Sequence, residues 1–325
     1  MKLFNHPVLC NYYVTYRCNA KCSFCDLWEK PSPYITIENV EQNLIALKKL
    51  GVKIVDFTGG EPLLHRQIDA FFALAKKYQF ITTLTTNALL YPKYAEKLRG
   101  LVDMLHFSLD SPIPAEHDKS RGVACFDNLI KSIALAKSFN ERPDILFTVH
   151  KGNIHQIQQV YEEISKPNNL ILILNPMFEY NEVGSELNTT ALAELKRWSR
   201  RKLVYLNNGF IKLREDGGNQ IAKPACKAMS TTIVISPENK MMIPCYHLGL
   251  EEIEIDNNLF ELRSSNDVKG QIKKEGTHEK CQGCTVNCYM QPSFATHINK
   301  YFWHALPSTL KYSLEKKMWK AWHSF

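Results

Sequence analysis

From Val8 to about Glu179 short apolar runs alternate with amphipathic segments, and this rhythm restricts the possible folds more than any other feature. The apolar runs are Val8–Thr15, Lys53–Phe57, Phe80–Thr85, Asp103–Leu109, Ile145–His150 and Leu170–Leu174. Several are β-rich and nearly continuous, the pattern expected of strands buried on both faces. Helical stretches lie between them. Thr36-Ile37-Glu38 opens one with an N-cap and an acid in the first turn, and Gly51 closes it. Ile68–Tyr78, Pro92–Leu98, Phe126–Phe139 and Ile154–Ile164 supply others, with apolar residues three or four apart. Strand–helix repeats of this kind predict an α/β protein with a parallel sheet and right-handed crossovers. Six repeats are too few to close an eight-fold barrel.

Functional groups in such folds gather where strands end. After the first run comes Cys18-Asn19-Ala20-Lys21-Cys22-Ser23-Phe24-Cys25, and after the second Thr58-Gly59-Gly60-Glu61-Pro62. The third run is followed by Thr86-Asn87, and the fourth ends in Ser108-Leu109-Asp110. Three thiols on one loop suffice for three corners of a four-iron cluster and leave one iron open. A structural zinc site instead needs four closed ligands.

The net charge of +7 is mild for 325 residues and selects no class of partner. Six of the ten cysteines are packed into two close groups, Cys18/Cys22/Cys25 and Cys281/Cys284/Cys288, which reads as metal binding rather than disulfides. The first ten residues show no signal peptide, and no apolar run reaches the ~20 residues that span a bilayer. A cytoplasmic, reducing location is the expectation. Cys10 and Cys125 read as buried thiols.

The spacing Cys18-x3-Cys22-x-Phe24-Cys25 resembles the signature of the radical S-adenosylmethionine (SAM) enzymes. The resemblance implies an open, partial (β/α)6 TIM-like barrel over residues 1–180. It implies a [4Fe–4S] cluster on Cys18, Cys22 and Cys25 whose open iron takes the amine and carboxylate of SAM. Gly59, Gly60, Glu61 and Pro62 match the family loop that holds the SAM amino group, the glycines permitting close backbone approach. Phe24 falls where the family lays an aromatic side chain near the adenine. Ser108 and Asp110 resemble strand-end residues that meet the SAM ribose or carboxylate, with Thr86 and Asn87 as neighbouring candidates; plain strand-end capping explains all four equally well. Arg121 is either a carboxylate ligand or a solvated loop arginine.

Beyond Glu179 the rhythm stops. Residues 181–225 read as a helical connection, with a helix over Leu187–Leu203 whose basic end is a solvated face. Cys226, Cys245, Cys281, Cys284 and Cys288 form a second constellation in residues 226–290. Thr231–Ser236 and Lys240–Ile243 flank Pro237-Glu238-Asn239, a β-hairpin with Asn239 suited to positive φ. This region resembles the SPASM or twitch segment of radical SAM enzymes, which implies a small C-terminal auxiliary-cluster domain. Five cysteines hold one second, auxiliary [4Fe–4S] cluster, through Cys226, Cys245, Cys281 and Cys284, with Cys288 as substitute ligand or spare. A zinc ribbon is the alternative for the same thiols.

Residues 291–325 are basic and aromatic. Leu310, Leu314, Met318 and Trp322 repeat every four residues, with Lys311, Glu315, Lys316 and Lys320 elsewhere, predicting an amphipathic helix. Packing on its own domain is one role for it; contact with a membrane surface, or a lid over an apolar substrate, is the other. No motif supports nucleic-acid binding.

The resemblance as a whole implies reductive cleavage of SAM to a 5′-deoxyadenosyl radical that takes hydrogen from a substrate carbon. The auxiliary cluster would assist oxidation or bond formation. Peptide maturation leads as the reaction, followed by radical dehydrogenation or C–C bond formation on a small molecule or lipid. The implied electron donor is a flavodoxin or ferredoxin. A non-catalytic Fe–S electron carrier explains the thiols but leaves the Gly59–Pro62 loop without a role.

Overall fold

The computed structural model describes residues 1–178 and 187–317. Glu179, the boundary at 180/181 and the tail residues Met318, Trp319, Lys320, Trp322 and Phe325 lie outside the described residues. The six predicted strands form as β1 (Leu9–Thr15), β2 (Ile54–Gly59), β3 (Ile81–Thr86), β4 (Met104–Leu109), β5 (Asp144–Val149) and β6 (Leu172–Pro176). They pair in parallel in sequence order, because each is joined to the next by a helical crossover. A two-residue strand β7 (Val204–Tyr205) extends the sheet beyond β6. On the other side β8 (Thr232–Ile235) pairs in parallel with β1, and β9 (Lys240–Ile243) and β10 (Glu251–Glu254) follow antiparallel. The cysteine-bearing hairpin thus continues the barrel sheet. Its turn is as predicted, with Asn239 at φ 62°.

Local chemistry accounts for the crossovers. Thr36 caps the helix Ile37–Lys49 by accepting from the Asn39 amide, and Gly51 takes φ 86° beyond its end. The helices Ile68–Lys77, Tyr91–Leu98 and Phe126–Ser138 fall within a residue or so of their expected ends. The stretch from Ile154 differs, because six of its residues, Val160–Ser165, wind as a π-helix.

One expectation is corrected. β1 and β3 are buried on both faces almost throughout, but β2, β5 and β6 are not. Val55 and Phe57 are fully buried against the helices, whereas Ile54, Asp56 and Thr58 between them remain part-exposed. The same alternation runs through β5, with Leu146 and Thr148, and β6, with Ile173 and Asn175. An incomplete ring of strands cannot fill its interior with its own side chains as an eight-fold barrel does. The inner face therefore lines an open lumen.

The C-terminal helix Lys300–Lys316 packs on its own chain, but the predicted amphipathic face is inverted. Leu310 and Leu314 are 54% and 64% exposed, in a row with Trp303. The polar side faces inward. Lys311 donates to the carbonyls of Ser199 (2.8 Å), Arg201 and Val204 (3.0 Å). Tyr312 donates to Asp144 at 2.6 Å, and Lys316 pairs with the same carboxylate at 2.8 Å. The N-terminal mouth of the barrel presents carbonyl oxygens and the fully buried Asp144, so the helix that closes it must bring donors rather than leucines.

Candidate functional site

The cysteine octet leaves β1 and is fastened to the far side of the barrel. Lys21 N donates to Arg121 O at 2.8 Å and Ser23 N to Ser120 O at 3.1 Å, joining the loop to the end of the helix Pro114–Arg121. Cys18, Cys22 and Cys25 are brought together on it, each half-buried. Burial pushes the Cys18 thiol up to about 12, and it raises Cys22 and Cys25 as well. Such thiols stay protonated unless a metal takes the proton's place. Donors already aim at the sulfurs, with Ala20 N 3.4 Å from Cys18 Sγ and an Arg121 nitrogen 3.8 Å from Cys22 Sγ.

The Gly59–Pro62 loop meets this octet at its root. Gly60 N donates to Thr15 O and Glu61 N to Arg17 O, both at 2.9 Å. A Cβ on Gly59 would overlap the Thr15 carbonyl oxygen, and one on Gly60 those of Tyr16 and Arg17. The first backbone that these glycines admit is therefore the chain's own. Gly60→Ala is expected to cost about 1–3 kcal/mol, the usual price of overpacking. A lower urea midpoint with an unchanged slope would register it; an unchanged midpoint would refute the packing role.

Glu61 is 1% exposed and holds the loop to β3. Its carboxylate accepts from Leu63 N (3.0 Å), Thr86 Oγ1 (2.8 Å) and Asn87 N (2.9 Å). Burial raises its pKa, and these three donors oppose the rise. Only one of the four carboxylate acceptor sites is left over. Thr86 and Asn87 thus position Glu61, and Asn87 Nδ2 reaches Asn19 of the cysteine loop at 2.8 Å. Ser108 is buried at the inner end of β4. Asp110 is engaged by Arg121, with Nε–Oδ2 and Nη2–Oδ1 both 2.7 Å, and accepts from Ser120 at 3.1 Å. Phe24 lies over the Arg121 guanidinium at 5.7 Å. Arg121, 7% exposed, is the hub the linear pattern could not separate from a solvated arginine.

The second thiol group is drawn together as the hairpin suggested. Cys226, Cys245, Cys281 and Cys284 line one cavity of ≈ 830 Å³. Cys288 lies beside it, with Sγ 3.8 Å from His247 Nε2 and within electrostatic reach of Cys245 and Cys284. Two organising residues escaped the sequence reading. Asn219, fully buried, accepts from the Ala225 and Cys226 amides (2.9 and 3.0 Å) and donates to the Gly276 and Cys281 carbonyls (2.9 and 3.0 Å). Arg214 lines the same cavity near Cys284. It donates to the carbonyls of Pro176, Met177 and Phe210 and to Asn287, with no carboxylate partner among the described residues. Burial pushes its guanidinium down to about 10, so it is still charged at neutral pH. A buried cation without a counter-ion beside four thiols fits an anionic thiolate centre. Nothing but position in the fold marks either residue.

Residues 12–164 match the family model of the radical SAM superfamily. This chain carries a radical SAM domain, and the members of that family are enzymes that use SAM and a [4Fe–4S] cluster; the C-terminal cysteines fit an auxiliary cluster. Among curated relatives, the SAM-dependent nucleotide dehydratase RSAD2 of Siniperca chuatsi is 25% identical over 56% of this chain and 48% of its own length. The chain thus spans about half the length of that relative, and only 33% of a GTP 3′,8-cyclase from Sulfurovum that is 38% identical over 110 residues. The AdoMet-dependent heme synthase of Nitratidesulfovibrio vulgaris is 24% identical over 85% of this chain and 86% of its own. Streptococcus suis SuiB, solved bound to SAM, shares the fold with a TM-score of 0.65 and 20% identity over 91% of this chain and 77% of its own. SuiB is also known bound to its precursor peptide SuiA. No helix among the described residues is long and apolar enough to cross a membrane.

Proposed function

We propose that Cys18, Cys22 and Cys25 hold the SAM-binding cluster and that the enzyme abstracts hydrogen from a peptide carbon in the barrel lumen. The observation that carries this reading is convergence. The cysteine octet, the Gly59–Pro62 loop and the Asp110–Arg121 pair meet at one end of the sheet. The second thiol group stands beside the same sheet through β8 and β9. When bound, SAM and its reduced cluster supply a carbon-centred radical able to attack an unactivated C–H bond. The protein's own task is to orient and to exclude water. Gly59, Gly60, Glu61 and Pro62 would frame the SAM amino group, Ser108 and Arg121 would serve its carboxylate or ribose, and Phe24 covers the Arg121 guanidinium. Asp110 serves by holding Arg121.

The auxiliary [4Fe–4S] cluster is assigned to Cys226, Cys245, Cys281 and Cys284, with Cys288 spare, since those four share the cavity with Arg214. A peptide substrate is favoured by SuiB, whose fold covers most of the chain and which binds a precursor peptide. A small-molecule substrate is the second reading, because the heme synthase aligns over 85% of this chain and 86% of its own length. A flavodoxin or ferredoxin is the proposed electron donor. Anaerobic reconstitution tests the core of the proposal. About 8 iron per chain is expected, with 5′-deoxyadenosine formed from SAM under a strong reductant. About 4 iron with bound zinc would convert the second site to a zinc ribbon, and no deoxyadenosine would overturn the enzyme reading.

A further inference from the structure

The inward positions of β1–β6 carry few formal charges. Strand register places Asp56 beside Asn11 and Thr83 on that face, and His106 beside Asp144. Asp56 and Asp144 are the two carboxylates there, and no lysine or arginine of these strands joins them. Burial holds His106 down to about 4, so it is neutral. Asp144 is neutralised by Lys316 at the closed N-terminal mouth. Asp56 has no such partner. Its one hydrogen bond comes from the Thr83 hydroxyl, and no cation pairs with it among the described residues. It is enclosed by protein yet still part-exposed, because it faces the open lumen. Cys288 of the second thiol group lies within its electrostatic reach.

We propose that Asp56 receives a cationic group of the substrate, an ammonium or guanidinium, and so selects which molecules enter the lumen. The proposal rests on the reading of the lumen as the place of hydrogen abstraction. A carboxylate held away from bulk water attracts a cation more strongly than an exposed one, because little solvent screens it. Burial lifts the Asp56 carboxyl to about 6, so at neutral pH most of it is ionised, and an arriving cation favours that form further. The same charge opposes anions. A phosphorylated substrate such as a nucleotide would bring like charge beside Asp56, on strands that offer no lysine or arginine. A phosphate group placed beside Asp56 is therefore disfavoured. Asp56 also lies three residues before Gly59, about 10 Å along the strand. A side chain as long as lysine or arginine, anchored there, would extend toward the SAM end.

Equilibrium dialysis on the reconstituted enzyme with SAM bound is the test. The probes are capped glycyl tripeptides with lysine, arginine, norleucine or glutamate at the centre. Wild type is expected to retain the lysine and arginine peptides about tenfold better than norleucine, and Asp56→Asn to level that ratio to about twofold. Asp56→Lys should turn the preference toward glutamate. Equal retention of all four by wild type, or a cation preference that survives in a folded Asp56→Asn protein, would overturn the proposal. Deoxyadenosine formation by wild type reports separately on the underlying reading. Its absence would sink that reading, and the dialysis ratios would still stand or fall alone.

Discussion

Cys22→Ala is expected to abolish 5′-deoxyadenosine formation and to lower iron from about 8 to about 4 per chain. Cys245→Ala should lose the same amount of iron yet retain part of its uncoupled SAM cleavage. The division follows from how each group is held. Cys22 sits on a loop after β1 fastened to the helix Pro114–Arg121, and Arg121 touches its sulfur. Cys245 follows β9 and belongs to the cavity that Asn219 and Arg214 organise from another part of the chain. The two frameworks do touch, with Lys30 Nζ donating to Tyr246 Oη at 2.7 Å and Tyr16 Oη to the Met242 sulfur at 3.6 Å, but neither bond is made by Cys18, Cys22 or Cys25. Anaerobic iron analysis and deoxyadenosine yield, measured on protein checked for folding, decide the matter. Complete loss of cleavage in a folded Cys245→Ala variant would show that the two groups act as one unit.

The second large effect lies far from the cysteines. Lys316→Met is expected to destabilise the protein by about 3–5 kcal/mol, because removing one partner of a buried ion pair strands the other. Lys316 is 8% exposed and Asp144 is fully buried, so water cannot replace the lost ammonium. Tyr312 would remain as a donor to the stranded carboxylate and limit the loss. The double variant Asp144→Asn/Lys316→Met should recover most of the stability, since the uncompensated charge is then gone. Urea midpoints of the four proteins give the coupling directly. Additive losses would mean that Lys316 stabilises through packing of its stem alone.

The open lumen shows how far local pattern carries. Runs such as Ile145–His150 read as strands buried on both faces, and the six strands did form in order. The inner faces of β2, β5 and β6 stay part-open, while β1 and β3 are covered, because that depends on what surrounds the interior. The tail marks a sharper limit. Its four-residue repeat of leucines is real, yet Leu310 and Leu314 face outward and Lys311, Tyr312 and Lys316 face in. Periodicity tells which residues share a face, while the partner surface decides which face is buried. Here that surface is carbonyl oxygen and a carboxylate.

What the sequence determined by itself was everything encoded over short spans. These are the strand–helix repeat, the Thr36 cap, the positive φ at Asn239, and the three-thiol octet with the Gly59–Pro62 loop some 35 residues on. Each depends on neighbours a few residues away, so chemistry and spacing suffice to read it. Tertiary structure alone decided the long-range pairings. It set Arg121 between Asp110 and Cys22, placed Asn219 as the clasp of Cys226 and Cys281, and left Arg214 beside the second thiols without a carboxylate partner among the described residues. It also closed the barrel mouth with Lys316 on Asp144 and left Asp56 bonded to Thr83 with no cation beside it among the described residues. The physical reason is common to all of these. The energy of a buried polar or charged group is set by what the fold brings against it, and those partners lie from 7 residues away, as for Asn219 and Cys226, to 172, as for Lys316 and Asp144.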